Sequence, residues 1–165
     1  MFDIILAIDD NYGIGKSNTI PWKCTTDMKF FKSKTINNIL IVGRKTWESM
    51  PQQKILENRT VIVISTSYIS KDVHIVNSFN TALNLAYSLK TTQEIFVIGG
   101  AQIYSEAFQH DDLNHLYVTY IHGTFECDTF LNALNFTKTL GKLKILHCNY
   151  YNDCTIVCHS KQPFS

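Results

Sequence analysis

Several stretches of this chain are apolar with almost no polar residue between, and two of them stop at glycine just before a helical pattern. A run without alternation has no face to give to water. Met1 to Asp9 (Met-Phe-Asp-Ile-Ile-Leu-Ala-Ile-Asp) therefore reads as a strand covered on both sides, central in a mostly parallel sheet. Asn38 to Gly43 is a second such strand, followed by a short helical segment Arg44 to Met50, and Glu94 to Ile98 is a third, followed by Gly99-Gly100 and a helix from Ala101. Strand, glycine, helix is an anion-binding design. The glycine lets the backbone come close, the free N–H groups of the helix start accept a phosphate, and Arg44 and Lys45 add charge. The plain alternative is a strand-to-helix turn with solvated basic residues. Two such turns at the carboxyl ends of strands in one domain point to a nucleotide lying across the sheet edge.

Between the first two strands lies a long connection, residues 10 to 23, rich in Asn, Gly, Ser and Pro, and a connection of that length is often functional. It holds two decoys. Gly15-Lys16-Ser17 ends like a phosphate-binding P-loop, yet the leading glycine would fall at Asp10. Gly13-Ile14-Gly15 begins a G-x-G-x-x-G that fails at Asn18. At Pro21-Trp22 the loop gives way to a helix with Thr25 as the expected N-cap and Asp27 in the first turn. An acidic first turn is favoured by the helix dipole and needs no function. Here, however, Met28 and Phe31 share the Asp27 side of the helix, so the carboxylate stands beside apolar and aromatic bulk. If the preceding loop folds over that side, only a ligand with matching donors can satisfy Asp27.

Residues 51 to 58 read as a polar loop with Ile55 and Leu56 as apolar exceptions, and Arg59 precedes the strand Thr60 to Ile64. A lone arginine there can hold a carboxylate, although a surface arginine is the commoner meaning. Ser65-Thr66-Ser67 closes that strand as a turn or as a polar rim for a phosphate. Val73 to Val76 is a short strand, Asn80 to Leu89 an amphipathic helix capped near Ser78 or Asn80, and Leu113 to His122 a strand carrying the Thr119 hydroxyl. Phe125 to Leu131 is a loop containing Asp128, and Lys142 to Tyr150 with Thr155 to His159 form a terminal hairpin. The fold class is thus α/β: one domain over residues 1–165, with a mixed, mostly parallel central sheet of about eight strands, an antiparallel C-terminal hairpin, and helices on both faces.

The bulk numbers agree with one core: 165 residues, 45% hydrophobic and 18% charged. With 15 basic against 14 acidic residues there is no excess charge for nucleic acid, which is not expected as a partner. No membrane span is expected either, since the N-terminal apolar run is short and lacks a basic flank. Five cysteines, an odd number without CxxC spacing, argue against a disulfide framework and a structural zinc site, and for a reduced, cytoplasmic protein. Cys154 and Cys158 lie about 13 Å apart if they share a strand. Cys148 and Cys154 stand where the terminal hairpin would set them face to face, without a native bridge being expected.

The motifs taken together resemble dihydrofolate reductase over nearly the whole chain. They are Ile20-Pro21-Trp22, Asp27 to Phe31, Val42-Gly43-Arg44-Lys45-Thr46-Trp47-Glu48-Ser49, Val97-Ile98-Gly99-Gly100-Ala101-Gln102-Ile103-Tyr104, Tyr117-Val118-Thr119 and Asp128-Thr129. Their order and spacing carry the likeness. The resemblance implies NADPH-dependent reduction of dihydrofolate, with Asp27, Trp22 and Thr119 as the catalytic group. Asp27 would bind the pterin amide and amino group and aid protonation at N5, with Thr119 and Trp22 acting beside it through water. Ile5, Ala7, Met28, Phe31, Met50, Leu56 and Ile98 would line the folate and nicotinamide clefts, and Arg59 would clamp the glutamate carboxylate.

For the cofactor, the resemblance places Arg44, Lys45 and Thr66, next to Ser65, around the adenosine 2′-phosphate. The pyrophosphate would lie between the turn of Gly43 and Thr46 and the segment Gly99, Gly100, Ala101, Gln102, Ile103 and Tyr104, with a cis peptide at Gly99-Gly100. Residues 13 to 20, with Ile14, Gly15, Lys16, Asn18, Thr19 and Ile20, would form a lid over the nicotinamide near Ala7. No metal is implied, antifolate inhibitors are expected ligands, and a monomer is expected because no exposed apolar stripe is left over. The loop before Arg59 lacks the proline and glycine common there, and Cys24 stands where the family often has proline or another residue, so that its oxidation or alkylation is expected to disturb the lid. Two other readings stay open. A same-fold aminopyrimidine reductase of the riboflavin pathway would need neither Asp27 nor Arg59, and a nucleotide- or RNA-binding module without turnover would not need the set of Asp27, Trp22 and Thr119.

Overall fold

The structure is a computed structural model and describes residues 1–161. Ten strands and six helices follow one another along these residues. They are β1 (Phe2–Ile8), β2 (Gly13–Gly15), α1 (Thr25–Thr35), β3 (Ile39–Gly43), α2 (Arg44–Ser49), α3 (Gln52–Leu56), β4 (Thr60–Ile64) and β5 (His74–Val76). Then come α4 (Phe79–Leu89), β6 (Ile95–Val97), α5 (Ala101–Phe108), β7 (Leu113–Ile121), β8 (Thr129–Phe130), α6 (Ala133–Leu140), β9 (Lys144–Tyr150) and β10 (Cys154–Ser160).

Eight strands form one sheet in the order β5-β4-β3-β6-β1-β7-β10-β9. The pairs from β5 through β7 are parallel, and β10 runs antiparallel to both β7 and β9. The expected mixed sheet with β1 at its centre and a C-terminal antiparallel hairpin is what the chain builds. The alternation of side chains along each strand divides the apolar residues between two layers. Ile4, Leu6, Ile39, Ile41, Ile62, Ile95 and Val97 pack under α4, α5 and α6. Ile5, Leu40, Val42, Val61, Val63, Phe96 and Ile98 pack on the other face with Trp47 of α2, Ile55 of α3 and Phe30 and Phe31 of α1. Both faces are covered, which is why these strands carry no polar alternation.

Four expectations are corrected. The segment 51–58 holds the one-turn helix α3, in which the Pro51 carbonyl accepts the N–H groups of Lys54 and Ile55 at 3.0 and 3.2 Å. The α1 N-cap is Cys24 rather than Thr25, and its side chain makes no capping bond. Cys148 pairs across the hairpin with Val157, while Cys154 pairs with Ile121 of β7. The five cysteines are free thiols. The fourth correction concerns the surface: the edge strand β9 and the turn after it leave Ile145, Leu146, Tyr150 and Tyr151 exposed, so apolar surface does remain. Two elements escape the sequence reading. Helix α6 has its own start signal, an Asn132 side chain accepting from the Asn135 N–H at 3.0 Å, and buries Phe136. The two-stranded ribbon of β2 and β8 is too short for any period to show.

Between β6 and α5 the Gly99-Gly100 peptide is cis, and Gly99 sits at φ +114. A Cβ at Gly99 would stand 3.1 Å from the Tyr104 ring. That ring is buried, and its hydroxyl donates to the Ile5 carbonyl at 2.9 Å, fastening α5 to β1. Substitution Gly99→Ala therefore combines a disfavoured backbone with a blocked ring. It is expected to cost about 2 kcal/mol and lower the melting temperature by about 6 °C, measured by calorimetry.

Candidate active site

The carboxyl ends of β1, β3, β4 and β6 and the inner side of α1 open on one cavity of about 1540 Å³. β1 contributes Ile5 and Ala7, and α1 contributes Asp27, Met28 and Phe31. The turn after β3 adds Gly43, Arg44, Lys45 and Thr46, and Met50 and Arg59 flank α3. Ser65 and Thr66 follow β4, and Ile98, Gly100, Ala101, Gln102, Ile103 and Tyr104 follow β6. The loop after β1 closes one side with Ile14, Gly15, Asn18, Thr19 and Ile20.

Five expected residues are not in the wall. Lys16 turns outward to an exposed ion pair with Glu126 at 3.4 Å. Gly99 lies behind Gly100, its carbonyl taken by the Gly43 N–H at 2.7 Å. Leu56 packs against the α1 and α2 layer, and its neighbour Ile55 fills the wall instead, because the turn of α3 swings successive side chains by about 100°. Trp22 and Thr119 lie outside the wall, Thr119 close to Asp27. Thr119 is on β7, paired with Ala7 of β1. Trp22 is buried edge-on to Phe125, ring centres 5.6 Å apart. The sequence reading missed Lys32, one turn beyond Met28 on the same side of α1. It also missed Asn77 and Ser78 at the β5–α4 junction. The 3.6-residue spacing points to Lys32, and the strand–polar–helix pattern of the other phosphate-type turns points to Asn77.

Two carboxylates near this cavity show opposite behaviour. Asp9, at the end of β1, is buried, which pushes its pKa up. The N–H groups of Gly13 (2.8 Å), Phe125 (3.1 Å) and Asn11 (2.9 Å) overcome that and hold the carboxyl below its ordinary value. Asp27 receives no such donors. Burial raises its pKa, and the nearby Thr119 hydroxyl pulls only weakly the other way. No hydrogen bond closes between the two. Thr119 Oγ1 and Trp22 Nε1 are both buried without a partner among the described residues. A half-buried carboxylate without backbone donors, beside an unused hydroxyl, suits a polar ligand better than a helix start alone.

Around the rest of the cavity the donors are positive. Arg59 Nε donates to Thr35 Oγ1 at 3.1 Å and Nη1 to the Glu57 carbonyl at 3.3 Å, which fixes the guanidinium plane and leaves donors facing the cavity. Burial draws its pKa down, the Glu57 charge opposing, yet an arginine stays charged. At the opposite end Arg44 pairs with Glu48 at 2.9 Å, and Lys45 is not in an ion pair among the described residues. Gly100 approaches so closely that a Cβ there would meet Thr46 Oγ1 at 2.8 Å. That leaves a cradle for an anion between Thr46 and the first N–H groups of α5. The α2 helix, six residues long, contributes side chains rather than a dipole of any size.

The segment expected to act as a lid is a small ribbon. Ser17 and Asn18 both take positive φ, 50 and 59, as the two central residues of a tight turn in which Lys16 and Thr19 exchange backbone hydrogen bonds at 2.8 and 2.9 Å. Beyond it, the Asp128 side chain accepts from the Ser17 N–H at 2.9 Å, and the Asp128 N–H donates to the Gly15 carbonyl at 3.0 Å. Ile20 and Met28 are exposed apolar residues on the cavity's rim, surface that a ligand would cover.

The family model for dihydrofolate reductase matches residues 1–142. A dihydrofolate reductase of Schistosoma mansoni is 35% identical over 149 residues, spanning 82% of this chain and 80% of that protein. A bifunctional dihydrofolate reductase-thymidylate synthase of Glycine max is also 35% identical, and the match takes in 29% of its length. Among solved structures, the dihydrofolate reductase of Enterococcus faecalis complexed with NADP(H) and RAB-propyl superposes with a TM-score of 0.79 at 28% identity. That alignment covers 99% of this chain and 97% of that one. Matched along most of its length in sequence and along nearly all of it in fold, the chain belongs to the dihydrofolate reductase family.

Proposed function

We propose that Asp27, with Thr119 and Trp22, holds the pterin of dihydrofolate and directs a proton to N5 in the NADPH-dependent reaction that yields tetrahydrofolate. The observation that carries this reading is the Asp27 carboxylate, half-buried at the cavity wall with its pKa raised and without backbone donors. The pterin edge offers an amide N–H and an amino group, the pair of donors that a carboxylate accepts. A raised pKa lets Asp27 hold a proton to higher pH than an ordinary carboxyl does. Thr119 Oγ1 and Trp22 Nε1, both buried and without a partner among the described residues, hold water and substrate in this reading.

Ile5, Ala7, Met28, Phe31, Met50, Ile55 and Ile98 supply the apolar walls of the folate cleft, Ile55 standing where Leu56 was expected. Arg59 clamps the substrate's glutamate carboxylate at the far end, its plane held by Thr35. The residues of the other arm fit NADPH. Arg44, Lys45, Ser65 and Thr66 take the 2′-phosphate, and Thr46 with the α5 start beyond Gly100 takes the pyrophosphate. When bound, the cofactor supplies a hydride to C6 of the pterin. The protein's share is orientation, exclusion of water under the 13–20 ribbon, and the proton.

The same cavity is open to antifolate inhibitors that mimic the pterin's donors. One domain over residues 1–165 and a monomer complete this reading, with the apolar edge of β9 left to solvent. A cytoplasmic setting suits the free thiols, and the balanced charge offers nucleic acid no footing. Among the described residues no helix is long and apolar enough to cross a membrane.

A native pKa raised above the unfolded value means that the folded protein binds more protons than the unfolded chain between the two values. Stability therefore falls as pH rises through that window, and the burden is complete above it. The variant Asp27→Asn is expected to melt higher than wild type at pH 7, with the gain vanishing below about pH 4. Its dihydrofolate turnover is expected to drop at least about a hundredfold near neutrality. It should recover at low pH, where substrate arrives protonated, as followed by NADPH absorbance. Truncation Arg59→Ala is expected to raise KM for dihydrofolate by about 10- to 100-fold while KM for NADPH stays put, checked by steady-state kinetics with each substrate varied.

A further inference from the structure

Away from the cavity, three potential metal ligands meet where α1 begins and the β9–β10 turn ends. The Cys24 and Cys154 sulfurs and an Asp153 carboxylate oxygen all lie within 4.8 Å of one another. The Cys24 thiol donates to Asp153 Oδ2 at 3.5 Å. We propose that Cys24, Asp153 and Cys154 form a site for a thiophilic divalent cation, Zn²⁺, with two thiolates, one carboxylate and a solvent molecule as its fourth ligand.

Geometry, burial and rigidity support it separately. Zinc bonds of about 2.3 Å to sulfur and about 2.1 Å to oxygen set tetrahedral edges of about 3.5 to 3.8 Å between ligand atoms. The observed sulfur–oxygen distance is such an edge. A disulfide would instead require the sulfurs to close to about 2 Å and would leave Asp153 without a role. Cys24 and Cys154 are buried among Trp22, Ile121 and Ile156, while Asp153 is exposed, so the site has a dry base and an open mouth.

Both ends are already fixed. The Cys24 carbonyl accepts the Met28 N–H at 3.1 Å in the first turn of α1, and the Tyr151 N–H donates to the Cys154 carbonyl at 2.8 Å across the turn. Asp153 is held by its own carbonyl, which accepts the His122 N–H at 3.0 Å. Ligands set by the fold lose little entropy on binding. The cation displaces one proton from each thiol, and both leave to solvent. Once seated, it ties the start of the helix that carries Asp27 to the C-terminal hairpin.

The test is a Cd²⁺ titration of reduced, chelator-treated protein, read by thiolate-to-cadmium ultraviolet absorption and by calorimetry. One ion per chain is expected, with absorption for two thiolates, and Zn²⁺ at about 100 times its Kd should raise the melting temperature by roughly 5 °C or more. Cys154→Ser should halve the absorption and abolish the stabilisation, and Cys148→Ser should change neither. Asp153→Asn, at an exposed position outside the reductase site, should leave metal-free turnover intact and weaken cadmium binding at least tenfold. Should Cys154→Ser fail to fold, the Asp153→Asn titration decides alone. Binding weaker than about 1 mM in wild type, or an unchanged affinity in Asp153→Asn, would overturn the proposal.

Discussion

The hydrogen bond from the Gly43 N–H to the Gly99 carbonyl, 2.7 Å long, is the constraint on which the cavity depends. It joins the ends of β3 and β6 just past their parallel pairing, and so sets two strand-to-helix turns against each other. Neither partner tolerates a side chain easily. A Cβ at Gly43 would press on Ile103, and one at Gly99 on Tyr104. With the two backbones in contact, Thr46 and the first N–H groups of α5 converge on one point, and the Tyr104 hydroxyl can reach β1. A cofactor pocket at this edge follows from two parallel strands ending together, as open α/β sheets generally provide.

Asp27 stands on the other arm of the cavity and inverts the usual logic of a core. The protein spends stability to hold a carboxylate away from water with no internal donor to compensate, whereas Asp9, no less enclosed, is surrounded by N–H groups. The difference lies in which backbone segments face each group. Asp9 sits where two loops turn back on β1 and offer their N–H groups. Asp27 faces β7, whose N–H groups are occupied in the sheet, so only the Thr119 side chain is left. On the proposed reading substrate fills that deficit, and the stability withheld from the free protein becomes selectivity for a ligand with two adjacent donors.

Much of this was legible before any coordinates. The unbroken apolar runs required a sheet covered on both faces, and the two glycine turns located its ligand edge. The spacing of Asp27, Met28 and Phe31 was enough to put a carboxylate in an apolar wall. What escaped has identifiable physical causes. A one-turn helix such as α3 has no period to detect, and whether Ile55 or Leu56 faces the cleft depends on its rotation. The β2–β8 ribbon is held by pairing between residues more than a hundred positions apart, which local pattern cannot show. Helix α6 did carry a readable signal, Asn132 as cap and Gly141 just past the end, beside apolar Phe136 and Leu140. The exposed residues of β9 violate the expectation that an edge strand in a small enzyme is polar on its free side.

The lid shows how distant pieces of sequence become one device. Asp9 binds the backbone at Gly13 and at Phe125, and Asp128 binds it at Ser17, so the 13–20 ribbon is stitched at both ends to the segment 123–130. Phe125 also packs on Trp22, which precedes α1 and joins the cluster of Cys24, Cys154 and Ile156. Movement of the ribbon therefore cannot be local. The ties are unequal along its length: Asp9 is buried and holds Gly13 at the start, Gly15 pairs with Thr129, and the turn at Ser17 and Asn18 is held from the exposed side by Asp128. The turn is therefore the least firmly held part of the ribbon, and Gly13 the most.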